Sequence, residues 1–375
     1  MLEATLSRLE AGAAKVRAGQ LGGYDMALVY AFGLLALTGL VLSFAASPVA
    51  AARVGITEPF YFTERHVIFL GATLTGACLT AALTPLQARR IGILAALGAL
   101  FLMAVALLVG PEIKGAKRWI PIGSFGLQPS EFLKPGFAIL VAWFLSAKPD
   151  SGFPGFLASL LVYGIASVLL LSQPDYGQWL LLTAIWAVML FVAGFSWAWI
   201  AALGSAAASA LTLGYLTQSH VRARIDRFLD PSSGDAYQTD KAAEAIRSGG
   251  VFGHDLHEAT GVKASLPDSQ TDFVFAVAIE EFGLLIGLLI IGLFAVIAIR
   301  GLTAALASTD VFKRCAIAGL TTALCIQASI NIGVNLGVLP AKGMTLPLIS
   351  YGGSSMLATG FTAGLLLVLT RKRRA

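Results

Sequence analysis

Residues 266–299 read LPDSQTDFVFAVAIEEFGLLIGLLIIGLFAVIAI. From Phe273 onward the stretch is apolar or glycine except for Glu280 and Glu281. It is longer than the ~20 residues that a helix needs to cross ~30 Å of hydrocarbon. It therefore predicts a membrane span entered through Asp272. Ahead of it, Ser219 to Thr271 forms a polar island dense in Arg, Lys, Asp, Glu and His. A connection between two spans can be far shorter, so the island is expected to do more than connect.

The rest of the chain extends the pattern. Of 375 residues, 57% are hydrophobic and 13% charged, with a formal net charge of +5. The mean hydropathy is +0.80, outside the range of soluble globular domains. About ten apolar runs are candidate spans, near 25–47, 66–84, 91–109, 130–147, 155–172, 178–195, 197–217, 272–299, 315–336 and 351–370. The predicted fold is an all-α integral membrane protein. It has a tail at 1–24, a single polytopic domain over 25–370 and a basic tail at 371–375, with the large extracytoplasmic loop 219–271 between helices 7 and 8. Gly194-Phe195-Ser196 alone separates two runs, which predicts a tight hairpin. The first run reads as a retained span, not a cleaved signal peptide. Residues 1–20 are expected as a surface helix or a frayed tail.

Lys and Arg in short loops set orientation. The basic residues of both tails, Arg89, Arg90, Lys148, Arg300, Lys313 and Arg314 share one side if both termini are cytoplasmic. Lys114, Lys117 and Arg118 then lie outside, against the rule, and mark the 110–129 loop as functional. Cys78, Cys315 and Cys325 form no CxxC pair, and His66, His220, His254 and His257 make no convincing ligand set. No Walker or dinucleotide loop is present, so no nucleotide cofactor is expected, and no nucleic-acid partner.

Ionisable groups in or beside spans are costly and are functional candidates by default. Lys114, Lys117, Arg118 and Trp119 suit a phosphate-bearing head group at the outer interface. Ser130 is a good N-cap for the fourth span. Glu131 and Lys134, three apart, share a helix face and can pair, either as plain structure or as part of a site. Asp175, in Gln173-Pro-Asp-Tyr-Gly177, either makes a tight turn or holds a cation or a neighbouring base. Asp272 is either a helix cap or a working acid. Glu280 lies about 12 Å deeper along a helix, and neither it nor Glu281 is easily explained without a partner. Gly333 and Gly337 form a small-residue helix face. The Pro/Gly-rich piece that follows, through Lys342 and Ser350, predicts a broken or re-entrant segment, tolerated at membrane depth only inside protein or along a cavity.

These stretches together resemble the SEDS family (shape, elongation, division and sporulation). They are NIGVNLGVLPAKGMTLPLISYGGSS (331–355), KGAKRWIPIGSFGLQPSEFLK (114–134), QPDYG (173–177), RIDRFLDP (224–231) and LPDSQTDFVFAVAIEEFG (266–283). The similarity runs from the first span onward, and the Lys342 and FLDP motifs favour the cell-division branch over the rod-elongation branch. The resemblance implies a peptidoglycan glycosyltransferase that polymerises lipid II at the outer face of the bacterial cytoplasmic (inner) membrane, at the division septum. It implies Asp272 as catalytic general base, deprotonating the acceptor hydroxyl while polyprenyl pyrophosphate leaves. Lys114, Lys117, Arg118, Trp119, Lys342 and Ser350 would bind substrate. Glu131, Lys134, Asp175, Glu280 and Glu281 would support the site. A divalent cation, Mg or Mn, is expected, with Asp272 and Asp175 as candidate ligands. The implied partners are lipid II, the nascent glycan strand, a class B penicillin-binding protein (the division transpeptidase), other divisome membrane proteins and membrane lipid.

The chain departs from the family pattern at Gly253-His-Asp-Leu-His-Glu258, at Asp268 and at Gln270, all in the island, which is expected as a lid and acceptor-positioning element. The rival class is a lipid II flippase. The acidic and basic candidates cluster on the outer side instead of forming a midplane pair, which favours the polymerase.

Overall fold

The computed structural model describes residues 23–113, 115–123, 125–147, 152–218, 222, 226, 237–253, 266, 268–340 and 343–372. In chain order these form α1 (Met26–Arg53), α2 (Tyr61–Ala81), α3 (Pro85–Val109), β1 (Ile120–Ile122), β2 (Phe125–Leu127), α4 (Pro129–Leu145), α5 (Gly155–Ser172) and α6 (Tyr176–Val192). Then follow α7 (Trp197–Thr217), α8 (Tyr237–Ser248), α9 (Val274–Phe282), α10 (Leu284–Leu306), α11 (Val311–Asn335) and α12 (Gly353–Thr370). Among the described residues, seven helices (α1, α3, α5, α7, α10, α11 and α12) are long and apolar enough to cross a membrane, and α6 is a shorter apolar helix. The chain is a multi-pass membrane protein. The remaining expected runs are less clear-cut. α2 carries Glu64, Arg65 and His66 in its first two turns, and α4 has 17 residues.

Local chemistry sets the helix starts. Asp25 caps α1 by accepting from the Ala27 N–H at 3.1 Å. Thr84 and Gln87 form a capping box with Pro85 in the first turn of α3. Asp310 caps α11 through the Phe312 N–H at 2.9 Å. The expected cap at Ser130 is corrected. Gln128 holds the N-cap position and Pro129 begins α4, because proline needs no donor there.

Three further features differ from the sequence reading. The run 272–299 is not one span, since Gly283, at φ 79°, separates α9 from α10. A Cβ at 283 would lie 2.2 Å from the Val251 carbonyl oxygen, so the break needs glycine. The 110–129 loop contains an antiparallel β1–β2 hairpin with Ile120 opposite Leu127. Gly333 and Gly337 do not make a helix–helix face. α11 ends at Asn335, Gly337 turns the chain at φ 71°, and a Cβ on Gly333 would meet Leu339. The possible helix at 1–20, the RIDRFLDP motif apart from Asp226, and His254–Glu258 lie outside the described residues.

The interior is built around α4, α11 and α12, with Phe137, Ile139, Val141, Cys315, Leu320, Leu365 and Leu366 buried in one core. α7 is peripheral, with Trp197 and Leu213 exposed. The two described ends meet at one face of the bundle. The Lys372 N–H donates to the Gly23 carbonyl at 2.9 Å, and Arg371 donates to the Tyr24 hydroxyl at 3.1 Å. Beside them, Arg300 donates to Asp25 at 2.9 Å.

Close approach without side chains holds α3 on α4. A Cβ on Gly136 would fall 2.5 Å from the Ala96 backbone nitrogen, whereas one on Gly98 would meet nothing within 4 Å. Small residues let membrane helices pack backbone to backbone. Gly136→Leu is expected to lower stability by ~3 kcal/mol through overpacking, with Gly98→Leu neutral. Thermal unfolding in detergent distinguishes them, and equal midpoints would refute the packing account.

Candidate functional site

The site is built on a turn. Asp268, at φ 51°, directs its carbonyl to the N–H groups of Thr271 and Asp272 at 3.0 and 3.1 Å. α9 then starts with Phe273 at its N-cap position and no capping side chain. Asp272 is therefore not the cap of this helix. α11 supplies the missing contacts. Asn335 accepts from the Ala276 N–H at 3.0 Å and donates to the Asp272 carbonyl at 2.9 Å. Asn331, one turn earlier, donates to the same carbonyl at 2.9 Å and to Met344 O at 2.7 Å.

A second set of bonds comes from the Pro/Gly-rich segment, which is irregular from Met344 to Tyr351 as expected. Ser350 donates to Thr271 O at 2.5 Å and accepts from the Leu346 N–H at 2.7 Å. The Tyr351 N–H donates to Gln270 O at 2.8 Å. The half-buried Asp272 carboxylate lies beside Gly343, where a Cβ would stand 3.3 Å from Oδ2. Ser350, expected among the substrate contacts, is 1% exposed and fully engaged in this clamp, so it supports the turn instead.

Behind the turn, α8 lays Ala242 and Ala245 on Phe273, Ala276 and Val277. Gly249 and Gly253 sit against the backbone of Ile279 and Glu281. Glu280 is buried on this side and Glu281 half-buried.

The buried pair Glu131–Lys134 is present, at 2.8 Å. Lys134 also donates to Gln327 Oε1 at 2.5 Å, and Gln178 donates to Glu131 Oε1 at 2.6 Å. Gln327 in turn donates to Thr345 O at 2.9 Å, and Thr345 shares a hydroxyl hydrogen bond with Ser355 at 2.5 Å. Gln327, Asn331 and Asn335 are thus one amide face of α11, spaced by four residues. That face joins the ion pair to the Asp272 turn through the adjacent residues Met344 and Thr345. Gln327 was missed in the sequence reading. Its spacing of four from Asn331, and of eight from Asn335, is the available signal, because it puts three amides on one helix face.

The outer loop is more structural than expected. Arg118 donates to the carbonyls of Gln173 and Pro174 at 2.8 and 2.6 Å and lies 3.7 Å from Asp175. It thus staples the 110–129 loop to the turn before α6. Asp175 caps α6. Burial pushes its carboxyl above the usual carboxylate range, and Arg118 opposes that shift. Trp119 packs over Gly126 inside the hairpin, and Ser354 fixes the hairpin to α12 by donating to Gly126 O at 2.9 Å. Lys117 is half-buried in the same loop, while Lys114 and Lys342 lie outside the described residues.

Among the described residues, no group of three or more His, Cys, Asp or Glu side chains is placed to hold a metal ion. With Asp175 committed to Arg118 and α6, the donors do not form a protein cage with Asp272. They fit an ion of the magnesium type that takes one carboxylate and carries the rest of its shell on phosphate oxygens and water.

Comparison with known proteins places the chain in a family. Residues 25–375 match the family model FTSW_RODA_SPOVE, described as cell cycle protein. The chain is 45% identical over 350 residues to the probable peptidoglycan glycosyltransferase FtsW of Caulobacter vibrioides, covering 93% of this chain and 90% of that one. It is 33% identical to the stage V sporulation protein E of Bacillus subtilis, covering 93% and 98%. Among solved structures it is similar to a chain of a peptidoglycan synthase complex that coordinates polymerization and crosslinking, with TM-score 0.77, 30% identity and coverage of 93% and 98%. It is also similar to the rod shape determining protein RodA of Thermus thermophilus, with TM-score 0.70, 28% identity and coverage of 94% and 98%.

Removing one member of a buried pair strands the other charge, at ~3–5 kcal/mol, whereas removing both is far cheaper. Lys134→Met is therefore expected to lose most of its folded yield in detergent, and Glu131→Gln with Lys134→Met to regain it. A double variant no better than the single one would contradict the pairing.

Proposed function

The chain belongs to the FtsW, RodA and SpoVE family of cell cycle proteins, and from this we infer that it is a peptidoglycan glycosyltransferase that polymerises lipid II during cell division. The observation that carries the assignment of the site is the locked Asp272 turn. Two α11 amides hold its carbonyl while its carboxylate stands beside Gly343 in the irregular segment. A carboxylate held this way on rigid elements can accept the proton of an acceptor sugar hydroxyl.

The leaving group is a polyprenyl pyrophosphate, and the charge that develops on it needs cations. Lys117, with Lys114 and Lys342, is assigned that task. Arg118 shapes the loop to which Lys114 and Lys117 belong, since its guanidinium is engaged on Gln173 and Pro174. A divalent cation, Mg or Mn, held by the pyrophosphate with Asp272 as a single protein ligand, would supply further charge neutralisation. Glu131 and Lys134 keep the floor of the site in shape.

The topology we assign is about ten spans in the bacterial cytoplasmic membrane at the division septum. Both termini are cytoplasmic, in keeping with the joined ends at Gly23 and Lys372. The 219–271 loop and the Asp272 turn are then extracytoplasmic. A class B penicillin-binding protein would take the glycan product for cross-linking, alongside other divisome membrane proteins.

With lipid II, Mg or Mn and the full chain co-purified with that partner, Asp272→Asn is expected to reduce polymerisation by ~10²–10⁴. EDTA should stop the reaction and added Mg or Mn restore it. Polymer formation unchanged in Asp272→Asn refutes the base, and unchanged in EDTA refutes the cation. Transbilayer movement of lipid II with no polymer at all would make the protein a transporter.

A further inference from the structure

His66 is a buried, polar side chain that nothing above uses. It is 0% exposed, in the first turns of α2, and neither ring nitrogen has a hydrogen-bond partner among the described residues. An imidazole always has at least one N–H to donate, and in its neutral form one nitrogen to accept. Leaving such groups unpaired in a core is destabilising, because each has given up its hydrogen bonds to water. An apolar residue would fill this position more cheaply unless the nitrogens have work to do.

Its surroundings say what that work is. The ring lines a cavity of ≈ 10 Å³ together with Ser43, Ala46, Phe62, Gln270, Val274 and Tyr351. This space is at the lower limit of what one water molecule occupies. It is too small for a sugar or a lipid. Three elements meet there. α1 supplies Ser43, α2 supplies His66, and the Asp272 turn supplies Gln270, two residues before the carboxylate. The ring is rigidly presented, because Thr63, one turn earlier, donates to Ser43 O at 2.8 Å and its N–H donates to Ser47 Oγ at 3.3 Å. On the far wall, Phe62 packs edge-to-face on Tyr351 at 5.3 Å, and the Tyr351 N–H holds Gln270 O at 2.8 Å.

We propose that His66 is a positioning residue for the catalytic turn, acting through one ordered water in this cavity that bridges its imidazole to the polar groups of Gln270 and Ser43. A buried water bridging several protein groups is nearly as good as direct hydrogen bonds. It ties the outer end of α2 to the near side of the turn, while Asn331 and Asn335 of α11 hold the carbonyl on the other. His66 itself touches neither substrate nor Asp272. Its influence is on how long the turn stays in its working conformation.

This role rests on the assignment of Asp272 as base, and two readouts separate the two claims. The variants are His66→Phe, which fills the cavity and removes the polar atoms, and His66→Gln, which keeps a donor and an acceptor. In the full chain with its partner, His66→Phe is expected to lower kcat for lipid II polymerisation about tenfold with KM unchanged, and to speed amide hydrogen exchange at Thr271–Val274 by a similar factor, since one or two such bonds are worth ~1.4 kcal/mol. His66→Gln should restore both. The exchange measurement needs no catalysis, so it stands even if Asp272 proves not to be the base. Exchange across the turn within twofold of wild type in His66→Phe overturns the proposal, as does a His66→Gln variant no better than His66→Phe. A uniform rise in exchange with a lower unfolding temperature would mark His66 as a plain core residue and overturn it equally.

Discussion

One carbonyl oxygen organises the centre of this protein. The backbone oxygen of Asp272 accepts from the side-chain amides of both Asn331 and Asn335. Backbone groups packed away from water must be satisfied within the protein. The turn at 268–273 and the irregular stretch at 344–351 both break helical hydrogen bonding, and both break it at the same place. The amide face of α11 resolves the two problems together. Asn335 satisfies both ends of the α9 start, and Asn331 bridges Asp272 to Met344. Helix, turn and irregular segment thus share one anchor on a helix that is otherwise packed into the core.

The same face carries electrostatics to the site. Lys134 sits between Glu131 and Gln327, and Gln327 holds Thr345. A buried ion pair adds little net stability, because desolvation offsets most of its attraction. What this pair supplies is register. Lys134 is satisfied only when α4 and α11 stand at one separation, and Gln327 then sets where Thr345 lies. Met344 and Thr345 are neighbours in the chain, so the position of the ion pair and the position of Asp272 are fixed relative to each other. Glu131 and Lys134 are tolerable in the interior because both are part of that frame.

Much of this was legible in the sequence, and what was not has physical reasons. The apolar runs near 25–47, 91–109, 155–172 and 315–336 announce helices by length alone, whereas the caps that start two of them, Thr84 with Gln87 and Asp310, emerge only in the folded backbone. Asp272 and the Glu131–Lys134 pair stand out because carboxylates and amines in apolar surroundings need a reason. Arg118 reads as a substrate contact because a guanidinium suits phosphate, and Ser350 only through the family resemblance. Their actual partners, Thr271 O and the carbonyls of Gln173 and Pro174, lie far away in the chain and only the folded backbone brings them near. The β1–β2 hairpin has strands of three residues each, too short for any alternation to register.

The break at Gly283 shows most clearly how the island enters the mechanism. A run as apolar as 273–299 would by itself continue as one helix, and Asp272 would then ride at the end of the α10 axis. The chain instead turns at Gly283, and the contact that forbids a side chain there comes from Val251, on the island. The Leu284 N–H donates to Gly250 O at 3.0 Å, across the same junction. The direction of α9, and with it the place of Asp272, is therefore set from behind by residues that precede it by more than a turn of the island's own helix. The expected role of the island as a lid concerns residues outside those described. Its described part, α8 with Gly249 to Gly253, is a buttress. It aims α9 at α11, where Asn331 and Asn335 can reach the Asp272 carbonyl.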